Sequence, residues 1–369
     1  MAVLDFLIEK HFILMTNKKI SRFIFGVALL VSLINSYFIF VFIICLYNYK
    51  GKKDIKHDIK HDIKINNDMK IKDILLIAPL NKMKERVQYS NDRFNIFEFL
   101  NGKNNITLID NNTNINYNDY KIIIYYFVTQ GIFWHPPTEI THSTSKKLLW
   151  MEDYFYTDEL INISKKFNFD ENIRIGNIPN TELQLISNNI KYSYFGDFFY
   201  IDTSIYRNLN IPKEIDILYY GTIIPTFYPL RYKILKCLYY LQKTSNYNIK
   251  IIWEYENIFG EELCNLINKS KFCISTSSKN SMPVKKYMEI PLCNSTIIGD
   301  IPVLYKDLFT NKVVEIKQSA SLSIIYNTLK ECCEGKYDSL LPDKYLLNYF
   351  KNKYNFDELY NKINKYVDK

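Results

Sequence analysis

Charge and glycine are both sparse in this chain. Only 23% of its 369 residues are Asp, Glu, Lys or Arg, against 47% hydrophobic. A chain with that balance can bury a core, which excludes a disordered tail protein and leaves room for two ordinary domains. The 10 glycines nowhere form GxGxxG or the P-loop pattern GxxxxGK[ST], so the fingerprints of NAD-binding and ATP-hydrolysing proteins are missing. The seven cysteines, Cys45, Cys237, Cys264, Cys273, Cys293, Cys332 and Cys333, include no CxxC pair and no His/Cys spacing suited to a metal. Their odd number adds to the case against a zinc site or a disulfide framework, and free thiols in reduced surroundings are expected. A basic stripe is missing too. Most of the net charge of +8 comes from residues 1–72, with 12 Lys/Arg against 6 Asp/Glu, which leaves 35 against 33 in the other 297 residues. No nucleic-acid partner is expected from so balanced a remainder.

What the N-terminal part does have is an apolar run. Residues 23–47 carry no formal charge over 25 positions, 17 of them Leu, Ile, Val or Phe, and about 20 apolar residues suffice to cross a bilayer as a helix. One transmembrane helix is expected there, preceded by a tail at 1–22. Lysines flank both of its ends, so the side of the membrane on which the rest of the chain lies is left open. A charged stalk at 48–71 follows, built on the repeat Asp54-Ile55-Lys56-His57, Asp58-Ile59-Lys60-His61. Two histidines one helical turn apart make no stable metal site without a third ligand, and a solvated stalk is the better reading.

Beyond residue 72, short runs of branched and aromatic residues alternate with amphipathic stretches, the pattern of parallel strands covered by helices. Strands are expected at 73–79, 106–110, 121–128 and 147–151, and again at 215–220, 249–253, 271–275, 296–299 and 312–316. The fold class is α/β, with two doubly wound, Rossmann-like domains at 72–207 and 208–345 facing a cleft. In such sheets ligands bind beyond the carboxyl ends of the strands.

Two constellations fall at those ends. The first is a strand, a glycine turn and a helix, Asp216-Ile217-Leu218-Tyr219-Tyr220-Gly221-Thr222 followed by Tyr228-Pro229-Leu230-Arg231. Backbone N–H groups, a helix N-terminus and the guanidinium of Arg231 together suit a diphosphate. The second is Lys285-Lys286-Tyr287-Met288-Glu289, between the apolar runs at 271–275 and 296–299. A carboxylate there can accept both hydroxyls of a ribose while the ammonium groups face phosphates.

The order of these segments, with "SKFCIS" and "KKYMEIPLCNSTII" in the second half, resembles the donor-binding half of GT-B glycosyltransferases, in particular the family-1-like and CgeB-like groups. The resemblance covers roughly residues 190–365. It takes in Tyr200-Ile201-Asp202 between the domains and a terminal stretch, 346–369, where those families place helices that cross back to the first domain. With the expected membrane span it points to a membrane-anchored enzyme, and it implies one that moves a sugar from a nucleotide-diphosphate sugar, a UDP- or GDP-sugar, to a hydroxyl of a glycan, lipid or protein acceptor. It implies no obligatory cofactor or metal. Gly221, Thr222 and Arg231 match the donor-phosphate turn, Lys285 and Lys286 the basic positions near the diphosphate, and Glu289 the glutamate on the donor ribose. Two positions depart from the pattern. Ser281 stands where an earlier glutamate is usual, and Asn294 where a small glycine is. These keep alive a catalytically inactive GT-B module that binds sugar or acts as a scaffold at a membrane; an epimerase on the same plan is a further rival. On the acceptor side, His135 and Asp153 each follow an expected strand of the first domain, where a base can take a proton from a hydroxyl.

Overall fold

The computed structural model describes residues 72–80, 95–111, 113–127, 135–151, 157–175, 179–196, 198–253, 256–278 and 281–368. The tail, the expected membrane span at 23–47 and the stalk lie outside the described residues, as does Asp153. No helix among the described residues is long and apolar enough to cross a membrane.

Residues from 70 onward form one compact unit built on two parallel sheets. The first holds β1 (Lys72–Ala78), β2 (Ile106–Asp110), β3 (Tyr120–Phe127), β4 (Lys146–Met151), β5 (Glu171–Ile175) and β6 (Tyr192–Gly196), in the order β2-β1-β3-β4-β5-β6. The second holds β7 (Ile215–Tyr219), β8 (Ile249–Ile251), β9 (Ser270–Ile274), β10 (Thr296–Gly299) and β11 (Val313–Glu315), in the order β11-β10-β9-β7-β8. The nine expected strands are all present, two with the expected ends and the others with ends moved by one or two residues. β5 and β6 were not anticipated.

Successive side chains of the first sheet feed two separate cores, which is why its central strands read as continuous apolar runs rather than alternating ones. Ile74, Leu76, Ile122, Ile124, Leu148 and Trp150 point to one face. Leu75, Ile77, Ile123, Tyr125, Leu149 and Met151 point to the other. Helix α1 (Thr157–Lys166) covers the second face with Leu160, Ile161 and Ile163, joined by Leu185 of α2 (Pro179–Ser187). Each such side chain, fully buried, contributes about 1.5–3 kcal/mol.

In the second sheet, α3 (Pro229–Thr244) packs against α6 (Leu322–Cys333), which also rests on β7. The opposite face is covered by α4 (Gly260–Asn268), α5 (Lys286–Leu292) and α7 (Lys344–Lys353), through Leu263, Ile267, Met288, Leu346 and Phe350. The last helix, α8 (Phe356–Asn364), belongs to the other lobe: Phe356, Leu359 and Ile363 are buried in the first core. It is tied there by Lys362, which donates to Phe195 O at 2.5 Å, and by Tyr360, which donates to Asn105 Oδ1 at 3.0 Å.

Both sheets reverse direction once. The chain runs from β1 to β2 on one side and returns to β3 on the other. It does the same from β7 to β8 and back to β9. Each reversal leaves a crevice beyond the carboxyl ends of the two central strands, at β1/β3 and at β7/β9.

Candidate functional site

At the β7/β9 crevice the chain leaves β7 through Tyr220 and Gly221, and Gly221 adopts φ +92°, a left-handed conformation. The segment then re-enters a helix at Pro229, which suits a first helical turn because its missing N–H would have had no partner there. Tyr228 precedes it without a side-chain cap, so the α3 N-terminus is not closed by its own neighbour. Arg231, in the first turn, is only 3% exposed. Its guanidinium stacks on the Tyr228 ring at 3.8 Å and donates to Thr222 O and Thr276 O, both at 3.2 Å. One side chain thus ties the loop after β7 to the loop after β9, straddling the crevice. Its Nε has no hydrogen-bond partner among the described residues.

Helix α5 is buried along its whole length. Lys286, at its start, donates from Nζ to Tyr220 O and sits 4.3 Å from the Tyr220 ring. A Cβ at position 221 would lie 2.7 Å from that Nζ and 4.0 Å from the nearer Arg231 nitrogen. Glycine at 221 therefore does two things: it accepts the left-handed turn, and it leaves the space the lysine occupies. Burial, reinforced by the neighbouring Arg231, pulls the Lys286 ammonium well below the usual lysine range, against the opposing pull of Glu289 and Cys273. One turn on, Glu289 accepts from the Tyr220 phenol at 3.0 Å and faces Lys285 at 3.9 Å. Lys285 also lies 5.3 Å from the Tyr206 ring. Arg231, Lys286 and Glu289 thus share one neighbourhood around Tyr220 and Gly221, with Lys285 at its edge and Thr222 contributing a backbone oxygen.

Residues 275–278 follow β9 as Ser-Thr-Ser-Ser, and all four are buried. The Ser275 and Thr276 hydroxyls have no hydrogen-bond partner among the described residues, which is uncommon for buried polar atoms in this number. Asp300, just after β10, organises the loop from below. It accepts from Ser277 N at 2.9 Å, from Tyr287 at 3.2 Å and from Gln318 at 3.0 Å. Further along, Met282 is buried in a core of the first sheet. Met282 therefore links the second half of the chain to the first sheet.

The two departures from the expected pattern have different surroundings. Asn294 has φ +56° just past α5, where its N–H reaches back to Pro291 O and that of Ser295 to Ile290 O. That is a left-handed helix terminus, best served by glycine and next by asparagine. Backbone geometry alone accounts for it. Ser281 also has a positive φ, +57°, and is exposed; its hydroxyl supplies no charge.

The structure does not bring His135 to this cluster. The residue is exposed, its ring stacks on Phe167 at 6.5 Å, and its carbonyl accepts a long bond from Asn111 at 3.4 Å. Sequence reasoning passed over three residues that shape the site: Tyr220, Thr276 and Asp300. Each directly follows, or lies two residues past, a buried strand, and that position was the available signal.

No family model matches the chain, and no curated protein matches it. Solved structures do. A sucrose-phosphate synthase from Thermosynechococcus elongatus superposes with a TM-score of 0.51 at 9% identity, over 80% of this chain and 98% of that one. The two share a fold. The likeness is of two parallel α/β sheets in the GT-B arrangement, and at this identity it speaks for the fold alone. TarM is similar at a TM-score of 0.45 and 10% identity, over 68% of this chain; the match spans 55% of TarM, about half its length. The forosaminyltransferase SpnP of spinosyn is similar at a TM-score of 0.39 and 8% identity, over 80% and 99% of the two chains.

Proposed function

We propose that the protein is a glycosyltransferase that takes a sugar from a nucleotide-diphosphate donor, a UDP- or GDP-sugar, and passes it to an acceptor hydroxyl. The observation that carries this reading is the meeting of Arg231, Lys286 and Glu289 around Gly221 at the β7/β9 crevice. In sugar transfer from such a donor, negative charge grows on the departing diphosphate. Two buried cations held in place beforehand stabilise that charge without reorganising during the reaction. The Ser275 and Thr276 hydroxyls add donors beside them, and Glu289 accepts from the ribose. Burial and Arg231 disfavour the charge on Lys286, and a dianion lying next to it offsets that cost.

The acceptor side belongs to the first domain, with His135 and Asp153 as the candidate bases. The apolar run at 23–47 anchors the enzyme in a membrane as a single pass, which suits a glycan, lipid or protein acceptor presented at that surface. The CgeB-like group is the finer family assignment. Ser281, without charge where a carboxylate is usual, favours a second reading in which the same site binds a sugar nucleotide and does not turn it over.

The test is thermal unfolding with UDP, GDP, CMP and their sugars. The cognate nucleotide at 100 times its dissociation constant raises stability by about 2.7 kcal/mol, and Glu289→Ala removes most of that gain. An unchanged gain takes Glu289 out of the site; no response to any nucleotide ends the proposal. Binding without transfer or donor hydrolysis selects the second reading.

A further inference from the structure

We propose that Tyr220 is the positioning residue that sets the acidic and basic halves of this site independently, and thereby makes the site select a ribose-bearing diphosphate over its 2′-deoxy counterpart. The inference rests on the donor reading above. Tyr220 reaches the two halves with two different atoms. Its phenol donates to one carboxylate oxygen of Glu289 at 3.0 Å, and its backbone carbonyl accepts from Lys286 Nζ. The ring itself, 5% exposed, fills the space between them, with the lysine 4.3 Å from its centroid.

The consequence for Glu289 follows from its rotamers. A glutamate side chain has three torsions, and left alone it samples several positions of its carboxylate. The bond from Tyr220 pins one oxygen, and Lys285 at 3.9 Å draws the other to the opposite side. A carboxylate fixed at both ends presents its remaining lone pairs in one direction, which is what recognition of a ribose hydroxyl requires. Lys286 is fixed by the backbone, so its contact does not depend on the phenol. Burial and the nearby carboxylate push the Tyr220 phenol well above its ordinary range, so it remains a donor throughout the physiological range of pH.

Tyr220→Phe deletes the bond to Glu289 and leaves the carbonyl, the ring and Lys286 in place. The experiment measures the affinities of the full chain for UDP, UMP and 2′-deoxy-UDP, with the guanosine series in parallel. Wild type prefers the ribose form over the deoxy form by about tenfold, the size of one charge-assisted hydrogen bond. In Tyr220→Phe that ratio falls below about threefold, while the preference for diphosphate over monophosphate stays within about twofold of wild type. Glu289→Gln, which still offers an oxygen to the phenol but turns an amide towards the ligand, loses the ribose preference with Tyr220 intact. This second variant carries the test if Tyr220→Phe fails to fold.

A purely structural role for Tyr220 lowers both ratios together, and that result overturns the proposal. So does full ribose preference in either variant. If wild type binds none of these nucleotides, the donor reading itself falls; if wild type binds and discriminates while Tyr220→Phe discriminates equally, only the role of Tyr220 falls.

Discussion

Glu171, at the start of β5, and Glu289, on α5, are buried to nearly the same degree, 3% and 4% exposed, in otherwise different company. Glu171 accepts from Ser193, from the Tyr366 phenol at 2.9 Å, and faces Lys191 at 3.6 Å. Burial pushes its carboxyl up, but the bonds from Ser193 and Tyr366, with Lys191 and Lys146, outweigh it and hold the group below its usual range. It lies at the amino edge of the first sheet and fastens the C-terminal segment to it. Glu289 lies at the carboxyl edge of the second sheet, in the neighbourhood of Lys286 and Arg231, where burial and the guanidinium disfavour the charge on the lysine. One buried carboxylate closes a structural joint. The other belongs to a cluster whose positive charge is unfavourable until an anion arrives.

Glu171→Ala breaks the contrast if it is wrong, and it has the largest expected effect. The buried Tyr366 phenol and the half-buried Ser193 hydroxyl lose their acceptor, which costs about 3 kcal/mol in denaturant unfolding, while nucleotide affinity does not change. The pH dependence carries the same signature. With the folded-state pKa lowered below the unfolded value near 4.3, the stability from Glu171 is fully present above that value and is lost as pH falls through the folded one. Wild type therefore loses more stability than Glu171→Gln between about pH 5 and pH 3.

Lys286→Met moves the other way. Here a basic group has its folded pKa lowered below the unfolded value near 10.4. The unfolded state binds more protons between the two values, so the charge is a cost that lessens as pH rises. Removing it leaves the ligand-free protein at pH 7 as stable as wild type or more so, by up to about 1 kcal/mol, while affinity for a nucleoside diphosphate drops about tenfold. A large loss of stability in this variant places Lys286 with Glu171 as a structural residue. Asn294→Gly has the smallest effect: at a left-handed helix terminus it changes stability by no more than about 0.5 kcal/mol. Nucleotide binding is unaltered, and a loss of binding assigns the Asn294 side chain to the site.

The same two regions explain what the sequence disclosed. Strands β1, β3, β4, β7 and β9 are apolar runs bounded by polar residues, and burial on both faces writes that signal directly. β5 reads Glu-Asn-Ile-Arg-Ile, with buried polar residues: Glu171 accepts from Tyr366, 195 residues later, and Asn172 from Ser164 on α1. No local pattern announces such a strand. β6 is an edge strand, with Tyr194 44% exposed, so half of its signal is absent. In the site, Arg231, Lys286 and Glu289 were legible because each lies beside a recognisable strand end. Tyr220 was visible as the end of a strand, but its bond to Glu289, 69 residues later, exists only once α5 has packed under β7.

The two lobes are joined twice. The segment from Phe198 to Tyr206 runs from one core to the other, and the C-terminal helices return through Tyr354, whose carbonyl accepts from Ile201 N at 2.8 Å. Phe198, Phe350 and Tyr354 pack edge to face around that meeting point. Because both crossings meet in one aromatic patch, the same rings hold the outgoing and the returning segment in place.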